Sequence, residues 1–291
     1  MESDKMAQTV LFDKIYGAML GGAIGDAMGG PVEGWDYTEI EDRHGILEEL
    51  LPYEDAPDYH SHFSTSAGAY TDDTRLKHIL CQAIMDAGGD VRRGDLVKAC
   101  VEAYYAAETE LARGFLEEYA LAGLYRDEKL IWGGRPTNGF IMMNAPLGLV
   151  CPCDPEGAFA LSYDVDFISD GYAKYSSAMA AAVVASALCP DATITDAIEG
   201  ALRACQAHRV EGELTRRWHG YEHVFQLNER LVRTAVEIAA EHENVFSLRP
   251  EYYRALEVST LGAEAAQTLA GALGMLTAAK GDVRDALIGC V

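Results

Sequence analysis

The chain has 291 residues, of which 49% are apolar and 9% aromatic, and its 23 basic and 46 acidic side chains give a formal net charge of −23. That length is enough for one large domain with a buried core. So acidic a surface repels phosphate backbones and anionic membranes, which argues against nucleic acid and membranes as bulk partners. A compact nucleotide substrate stays open, because a local site or a metal ion can outweigh the mean field.

The cysteines and the chain start bear on the cellular compartment. Seven cysteines occur without a repeated Cys-x-x-Cys pattern, and Cys151 and Cys153 are too close together for good zinc ligand spacing. They are expected to be free thiols in a reducing cytoplasm. No basic segment followed by an apolar core, as in a secretory signal, opens the chain. The apolar run 173–188 contains Lys174 and is short for a membrane span, so it is interpreted as a buried helix.

The first predicted element is a helix over residues 10–28. Glycines recur at every fourth position from Gly17 to Gly29, which places them on one helical face where another backbone can approach closely. The same spacing occurs in membrane helix dimers, but Asp13 and Asp26 favour a core helix of a soluble protein.

The following stretch, 35–70, is interpreted as a loop, and a second strong helix begins at Thr71 and ends at Gly88-Gly89. Alternation of apolar and polar residues is almost absent, so no sheet is expected. Residues 132–149 are rich in glycine and proline and are interpreted as a long irregular connection, which in a helical domain is often functional. Further helices are predicted over 95–107, 109–125, 155–162, 173–188, 195–207, 227–242, 263–279 and from 281 onwards.

The run Thr71-Asp72-Asp73-Thr74 opens its helix with hydroxyl and carboxylate groups. A structural interpretation is sufficient for it, because Thr71 can be the N-cap and acidic side chains favour the positive end of the helix dipole. A functional interpretation is equally consistent with the sequence. Hard oxygen ligands on consecutive residues can hold Mg²⁺, Mn²⁺ or Ca²⁺ on one side and leave positions for water and substrate.

Two further acidic residues lie near the end of the first helix. Asp26 is surrounded by glycines on an apolar helix, where a carboxylate is costly unless it is hydrogen bonded or ligated. Glu33 follows Pro31 at the mouth of a loop, and taken alone it could be an ordinary solvated side chain.

These pieces together resemble a known family. Gly25-Asp26-Ala27 with Pro31-Val32-Glu33, a few dozen residues before Thr71–Thr74, resembles the ADP-ribosylglycohydrolase family. Asn138-Gly139 followed by 145–148 is similar to its substrate loop, and 169–172 is similar to a segment that usually carries a Thr-His or Ser-His pair. Residues 263–291 resemble the helix pair that precedes the family's final motif, so the resemblance runs over essentially the whole chain.

The resemblance implies an all-α, single-domain orthogonal helical bundle over residues 1–291, with a binuclear Mg²⁺ or Mn²⁺ centre in a cleft. Asp26 would support this site from behind, or anchor the helix packing. Hydrolysis at the anomeric carbon of a ribose is the expected chemistry, with a carboxylate as acid, base or water-positioning group. The residues implied are Thr71, Asp72 and Asp73 for the metal, Glu33 and Asp73 for catalysis, and Thr137, Asn138, Gly139, Asp170 and Tyr172 for the substrate.

The sequence departs from the family pattern in several places. The final motif, Gly-Asp-x-Asp-Thr, is not present before Val291, so the domain is predicted to be incomplete at its C-terminal side. Asp170 stands where the family has a histidine, and Met142 or Met143 where it has an arginine. The run 164–166 has two aspartates, but it precedes the alanine-rich helix, so it is interpreted as an acidic turn between helices and not as a substitute metal motif.

Three functions stay open at this point. The first is a hydrolase that removes ADP-ribose from a modified acceptor, such as an ADP-ribosylated protein. The second is a nucleosidase that acts on a small N-ribosyl compound, favoured by the loss of the histidine and arginine. The third is a catalytically silent binding or structural protein, favoured by the missing second half of the metal motif. Neither the oligomeric state nor the metal identity follows from the sequence.

Overall fold

The structure is a computed structural model that describes residues 10–53, 66–108, 110–125, 134–169, 171–208, 221–257 and 263–291. Within those ranges the regular elements are helices, and β-structure is limited to two isolated bridges. The all-α prediction is therefore confirmed. The helices are α1 (Val10–Gly29), α2 (Tyr37–His44), α3 (Asp72–Asp86), α4 (Arg93–Ala106), α5 (Glu110–Tyr125), α6 (Ala145–Leu149), α7 (Pro155–Val165), α8 (Gly171–Ala187), α9 (Ile194–Ala207), α10 (Tyr221–Glu241), α11 (Arg249–Ala255), α12 (Ala265–Ala278) and α13 (Val283–Cys290).

Helix α8 is the centre of the bundle, because it takes part in two hydrophobic cores. Ala178 and Ala182 face a core formed with α9, α10, α11 and α12. Ala181 and Ala185 face a second core formed with α3, α4, α5 and α7. Its alanines and serines are small enough for neighbouring helices to approach closely on all sides. A β-carbon at Gly148 of α6, for example, would lie 2.4 Å from the Ala181 carbonyl oxygen.

The connection before α6 is held in place by backbone hydrogen bonds at two points. The Arg135 amide donates to the Ile168 carbonyl oxygen (3.0 Å), and the Asn138 amide donates to the Ala263 carbonyl oxygen (2.8 Å). Thr137 and Glu264 form an isolated antiparallel bridge at the second point. The predicted substrate segment is thus fixed between the end of α7 and the start of α12.

The stretch predicted as a loop, 35–70, contains the short helix α2. The Asp36 carboxylate caps this helix by accepting a hydrogen bond from the Thr38 amide (2.9 Å). Ile40 is its buried residue, and it packs against Val32 and Leu47 in a small core. A helix of two turns with one apolar contact has no sequence periodicity to reveal it. Helices α6 and α11 were missed for the same reason, since each is shorter still.

The glycine face of α1 differs from its prediction. Among the described residues, no atom lies within 4 Å of a β-carbon built at Gly17, Gly21 or Gly29, so no backbone approaches there. On this face the close contact is at Gly25, against the Leu287 side chain, and a second one occurs beside the face at Gly22, against Lys77. Among the α1 residues, Ala27 and Met28 are fully buried, so α1 joins the core at its C-terminal end.

Two expectations about compartment can be compared with the structure. All seven cysteines lie in the described ranges and are free thiols. In the same ranges, no helix has the length and apolarity that crossing a bilayer requires.

Candidate active site at the start of helix α3

Asp26, near the end of α1, holds the first turn of α3. Its carboxylate accepts hydrogen bonds from the backbone amides of Thr71 (2.9 Å) and Thr74 (3.0 Å) and from the Thr71 hydroxyl (2.6 Å). The first amides of a helix have no partners within the helix, so a carboxylate from another element satisfies them and also complements the helix dipole. These hydrogen bonds therefore offset the cost of placing the Asp26 carboxylate on an apolar helix.

Thr71 occupies the N-cap position, as predicted, but its side chain does not cap the helix. The hydroxyl hydrogen points to Asp26, and the hydroxyl oxygen also lies 3.4 Å from Asp73 Oδ2. Thr71 is 2% exposed, so its hydroxyl is buried beside these two carboxylates.

Four carboxylates influence one another electrostatically around this helix start: Asp26, Glu33, Asp72 and Asp73, called the acidic cluster below. Burial of Asp73, followed by the charges of Asp26, Asp72 and Glu33, raises its pKa to about 7. Lys77 acts in the opposite direction, and its charge lowers that pKa. The structure therefore brings the predicted metal and catalytic residues together in one negatively charged region.

Tyr53 belongs to the same region, although sequence reasoning missed it. Its hydroxyl donates to the Ala69 carbonyl oxygen (3.0 Å) and lies over Gly30, where a β-carbon would be 2.3 Å from it. Burial and the charges of the acidic cluster raise its pKa to about 12. Its phenol is therefore a neutral hydrogen-bonding group at the edge of the cluster. A tyrosine in a stretch without periodicity gives no signal of such a role.

Tyr119 of α5 connects the acidic cluster to the predicted substrate segment. Its hydroxyl donates to the Gly139 carbonyl oxygen (3.2 Å). Burial raises its pKa well above the usual value, and the charges of Asp72 and Asp73 add to the shift. The segment around Gly139 therefore lies within electrostatic range of the helix start. Sequence reasoning missed Tyr119 too, because it reads as an ordinary apolar position of an amphipathic helix.

Tyr172 is occupied by structural contacts. Its hydroxyl donates to Glu264, and its carbonyl oxygen accepts from Asn228 Nδ2 (2.9 Å) and Ser176 Oγ (2.9 Å). Glu264 is buried and lies beside Thr137 in the isolated bridge. Tyr172 and Thr137 are thus joined through Glu264, and stacking of the Tyr172 ring on a base or ribose stays a prediction.

The remaining positions that the sequence singled out are two methionines, a turn aspartate and one residue that the structure does not describe. Met143 is 1% exposed and Met142 packs against the second core. Asp166 is fully buried at the end of α7 and accepts hydrogen bonds from the Ile168 and Ser169 amides (3.0 and 2.9 Å), as expected for a turn between helices. Asp170 lies outside the described residues.

The fit of a metal ion rests on donor chemistry. In the ranges that the structure describes, no group of three or more His, Cys, Asp or Glu side chains converges closely enough to hold an ion. The donors near the helix start are nevertheless the oxygens that Mg²⁺ and Mn²⁺ prefer: the Thr71 hydroxyl and the carboxylates of Asp72 and Asp73. Burial is the largest cause of the raised pKa of Asp73, and the negative charges that come next are ones that a cation would compensate.

Comparison with known proteins decides the family. The family model for ADP-ribosylglycohydrolases matches residues 7–291. The chain belongs to the ADP-ribosylglycohydrolase family. This is a family of hydrolases that act on glycosidic linkages of ADP-ribose, and the suspected family is therefore confirmed.

One curated relative of the chain comes from Escherichia coli strain K12 and is named uncharacterized protein YegU. The two are 29% identical over 178 residues, which cover 59% of this chain and 52% of the relative. The match thus spans about half the length of that protein. Family membership supports glycosidic hydrolysis in general, whereas the roles of individual residues rest on the geometry above.

Proposed function

We propose that the chain is a Mg²⁺- or Mn²⁺-dependent hydrolase that releases ADP-ribose from a modified acceptor by cleaving a ribosyl N- or O-glycosidic bond. The observation that carries the proposal is the acidic cluster at the start of α3, together with the family match over residues 7–291. Water would add to the anomeric carbon while the bond from that carbon to the acceptor breaks and the acceptor leaves with a proton.

Thr71, Asp72 and Asp73 are the residues proposed to hold the metal. A bound divalent ion supplies Lewis acidity, orients ribose hydroxyls and lowers the pKa of a bound water. Asp26 prepares Thr71 for this role, because the short hydrogen bond from the Thr71 hydroxyl to Asp26 fixes the direction of the oxygen lone pairs.

Glu33 is proposed as the carboxylate that handles the proton or positions the water. It follows the 3₁₀ turn Gly30–Val32 at the end of α1, and its side chain is exposed where a substrate can reach it. Its charge contributes to the raised pKa values of Asp73 and Tyr53, so it acts on the same region. Asp73, with a pKa of about 7, can carry a proton near neutral pH in the metal-free protein.

The substrate is proposed to lie between the acidic cluster and the segment Thr137–Gly139, and Asp170 and Tyr172 are proposed to contact it. Tyr119 supports this placement by binding the Gly139 carbonyl oxygen. The proposed substrates are soluble: an ADP-ribosylated protein or a small ribosyl compound. We place the protein in the reducing cytoplasm, in keeping with its free thiols.

A nucleosidase acting on a small N-ribosyl compound is the second candidate. The observation in its favour is the burial of Met143 and the packing of Met142 in the second core. These positions stand where the family has an arginine, so these two side chains offer no cation for a pyrophosphate.

The test is hydrolysis by the purified full chain, with Mg²⁺, Mn²⁺ or excess chelator, of arginine- and serine-linked ADP-ribosyl peptides and of free nucleosides. Release of ADP-ribose with metal and not with chelator is the expected result. Release of ribose or base from nucleosides alone would favour the nucleosidase. Absence of turnover on every substrate, by protein shown to be folded, would contradict both enzymes and favour the silent protein.

Variants assign the activity to this site. Glu33→Gln is expected to lower kcat by about 100-fold or more, the usual contribution of a positioned acid or base. Asp72→Asn is expected to weaken metal binding as well. Asp42→Asn is the matched control, since Asp42 is an exposed carboxylate on α2 outside the acidic cluster. An equal loss in the Asp42 variant would mean that mean surface charge, and not this site, determines the rate.

A further inference from the structure

Lys77 is a buried lysine beside the acidic cluster. It is 6% exposed, whereas lysine side chains are almost never buried without a compensating charge. A β-carbon at Gly22 of α1 would lie 2.6 Å from Lys77 Nζ. The ammonium group therefore fills the space that the glycine leaves between α1 and α3.

The helix geometry places this ammonium on the same face as two carboxylates. Lys77 is one turn after Asp73 on α3, and Asp26 is one turn after Gly22 on α1, so both carboxylates share a face with the ammonium. Burial raises the pKa values of Asp73 and of Cys81, one turn further along α3, and the charge of Lys77 reduces both shifts. The electrostatic effect and the packing contact thus agree on where the charge lies.

The charges that Lys77 compensates are those proposed to attract a divalent ion. The acidic cluster contributes four negative charges when ionised, and the Lys77 ammonium opposes them at Asp73. A cation fixed in the protein and a cation bound from solution both relieve repulsion between the same carboxylates. They must also repel each other.

We propose that Lys77 is a built-in counter-ion of the acidic cluster, a positioning residue that holds the carboxylates together without metal and weakens their affinity for divalent cations. The inference rests on the proposed function, because it takes the acidic cluster as the metal site. It adds a residue that the metal and catalytic assignments do not include. A buried lysine that served packing alone would affect stability without changing metal affinity.

The experiment measures Mn²⁺ binding by electron paramagnetic resonance, and thermal unfolding in chelator and in Mn²⁺, for the full chain and its variants. Lys77→Met is expected to bind Mn²⁺ about tenfold more tightly, because a repelling charge is removed from a site of low effective dielectric constant. The same variant is expected to unfold at a lower temperature in chelator and to recover most of that loss in Mn²⁺.

Gly22→Ala tests the same idea without removing the lysine. Its methyl group would displace the ammonium, so Mn²⁺ affinity should rise in this variant as well. Gly21→Ala is the matched control, since no described atom lies within 4 Å of a β-carbon there, and its affinity should equal that of the unaltered protein.

The outcomes separate this inference from the proposed function. If the unaltered protein binds Mn²⁺ and both Lys77→Met and Gly22→Ala bind it equally or more weakly, Lys77 is no counter-ion and the proposed metal site stands. If neither the unaltered protein nor any variant binds Mn²⁺ saturably, the metal site and the role of Lys77 are both overturned. Saturable binding that appears only when Lys77 is replaced would support the inference strongly.

Discussion

A single carboxylate, Asp26, joins the fold to the candidate site. It satisfies the Thr71 and Thr74 amides at the start of α3 and fixes the Thr71 hydroxyl. The same negative charge raises the pKa of Asp73. The arrangement is costly by itself, because it puts four carboxylates near one another. Lys77 and the positive end of the α3 dipole offset part of that cost.

Replacing Asp26 with alanine is expected to lower the free energy of unfolding by about 1–3 kcal/mol, because the first amides of α3 lose their partner in a partly buried place. Asp26→Asn keeps an acceptor oxygen and should lose less. Urea unfolding of the metal-free protein measures both. Asp42→Ala, which removes an exposed carboxylate, should stay within about 0.5 kcal/mol of the unaltered protein. A loss for Asp26→Ala no larger than this would contradict the capping role.

At the scale of the elements, the sequence predicts long helices well and short ones poorly. Helices α3 and α9 have apolar residues at helical spacing and recognisable starts, and the Thr193 capping box at α9 is local chemistry. Helix α11 depends on distant partners: its Arg249 is buried against Glu41 and the carbonyl oxygens at the end of α13. Nothing local in the sequence indicates those contacts.

The site shows the same division between local and distant chemistry. The motif Thr71–Asp73 was found from the sequence, because its three donors are consecutive residues. Tyr53, Lys77 and Tyr119 were not found, because each acquires its role through contacts with residues that are distant in the sequence. Predicted roles for Glu33 and for the residues at 137–139 stay predictions, although their positions near the cluster agree with them.

Two glycines of α12 give a matched test of helix packing. A β-carbon at Gly274 would lie 1.8 Å from the Tyr252 hydroxyl oxygen, and that hydroxyl donates to the Ala235 carbonyl oxygen on α10 (2.7 Å). Gly274→Ala should therefore lower the free energy of unfolding by about 1–3 kcal/mol through overpacking. Gly271, one turn earlier, lines a cavity of about 320 Å³ and has no described atom within 4 Å of a β-carbon.

Gly271→Ala is accordingly expected to be neutral or to stabilise the protein by up to about 1 kcal/mol, because alanine favours a helix more than glycine does. Both variants are measured by urea unfolding under the same conditions. Equal effects of the two substitutions would mean that α10 and α12 are not as close at Tyr252 as the structure has them.

At the scale of the whole molecule, the two cores share α8 while the acidic residues repel one another across the surface. A net charge of −23 destabilises a compact state by self-repulsion, and the effect grows as carboxyl groups ionise. The acidic cluster concentrates this general effect in one place. Divalent cations are expected to bind at the cluster before other acidic residues. The pH dependence of the free energy of unfolding, measured with and without a divalent cation, should therefore reveal the site.

The metal-free protein is expected to lose stability as pH rises from about 4 through about 7, because Asp73 has a pKa of about 7 when folded and 3.8 as its ordinary value. Between those values the folded state binds the extra proton, so protonation stabilises it and ionisation removes that contribution. Urea unfolding in chelator across this range, for the unaltered protein and for Asp73→Asn, measures the effect. The slope of the free energy of unfolding against pH should be shallower in the variant, which has no proton to lose.

Mg²⁺ should restore stability above pH 7 in the unaltered protein more than in the variant, since the ion favours the ionised carboxylate. A slope for the unaltered protein no steeper than that for Asp73→Asn would show that Asp73 is ionised throughout this range.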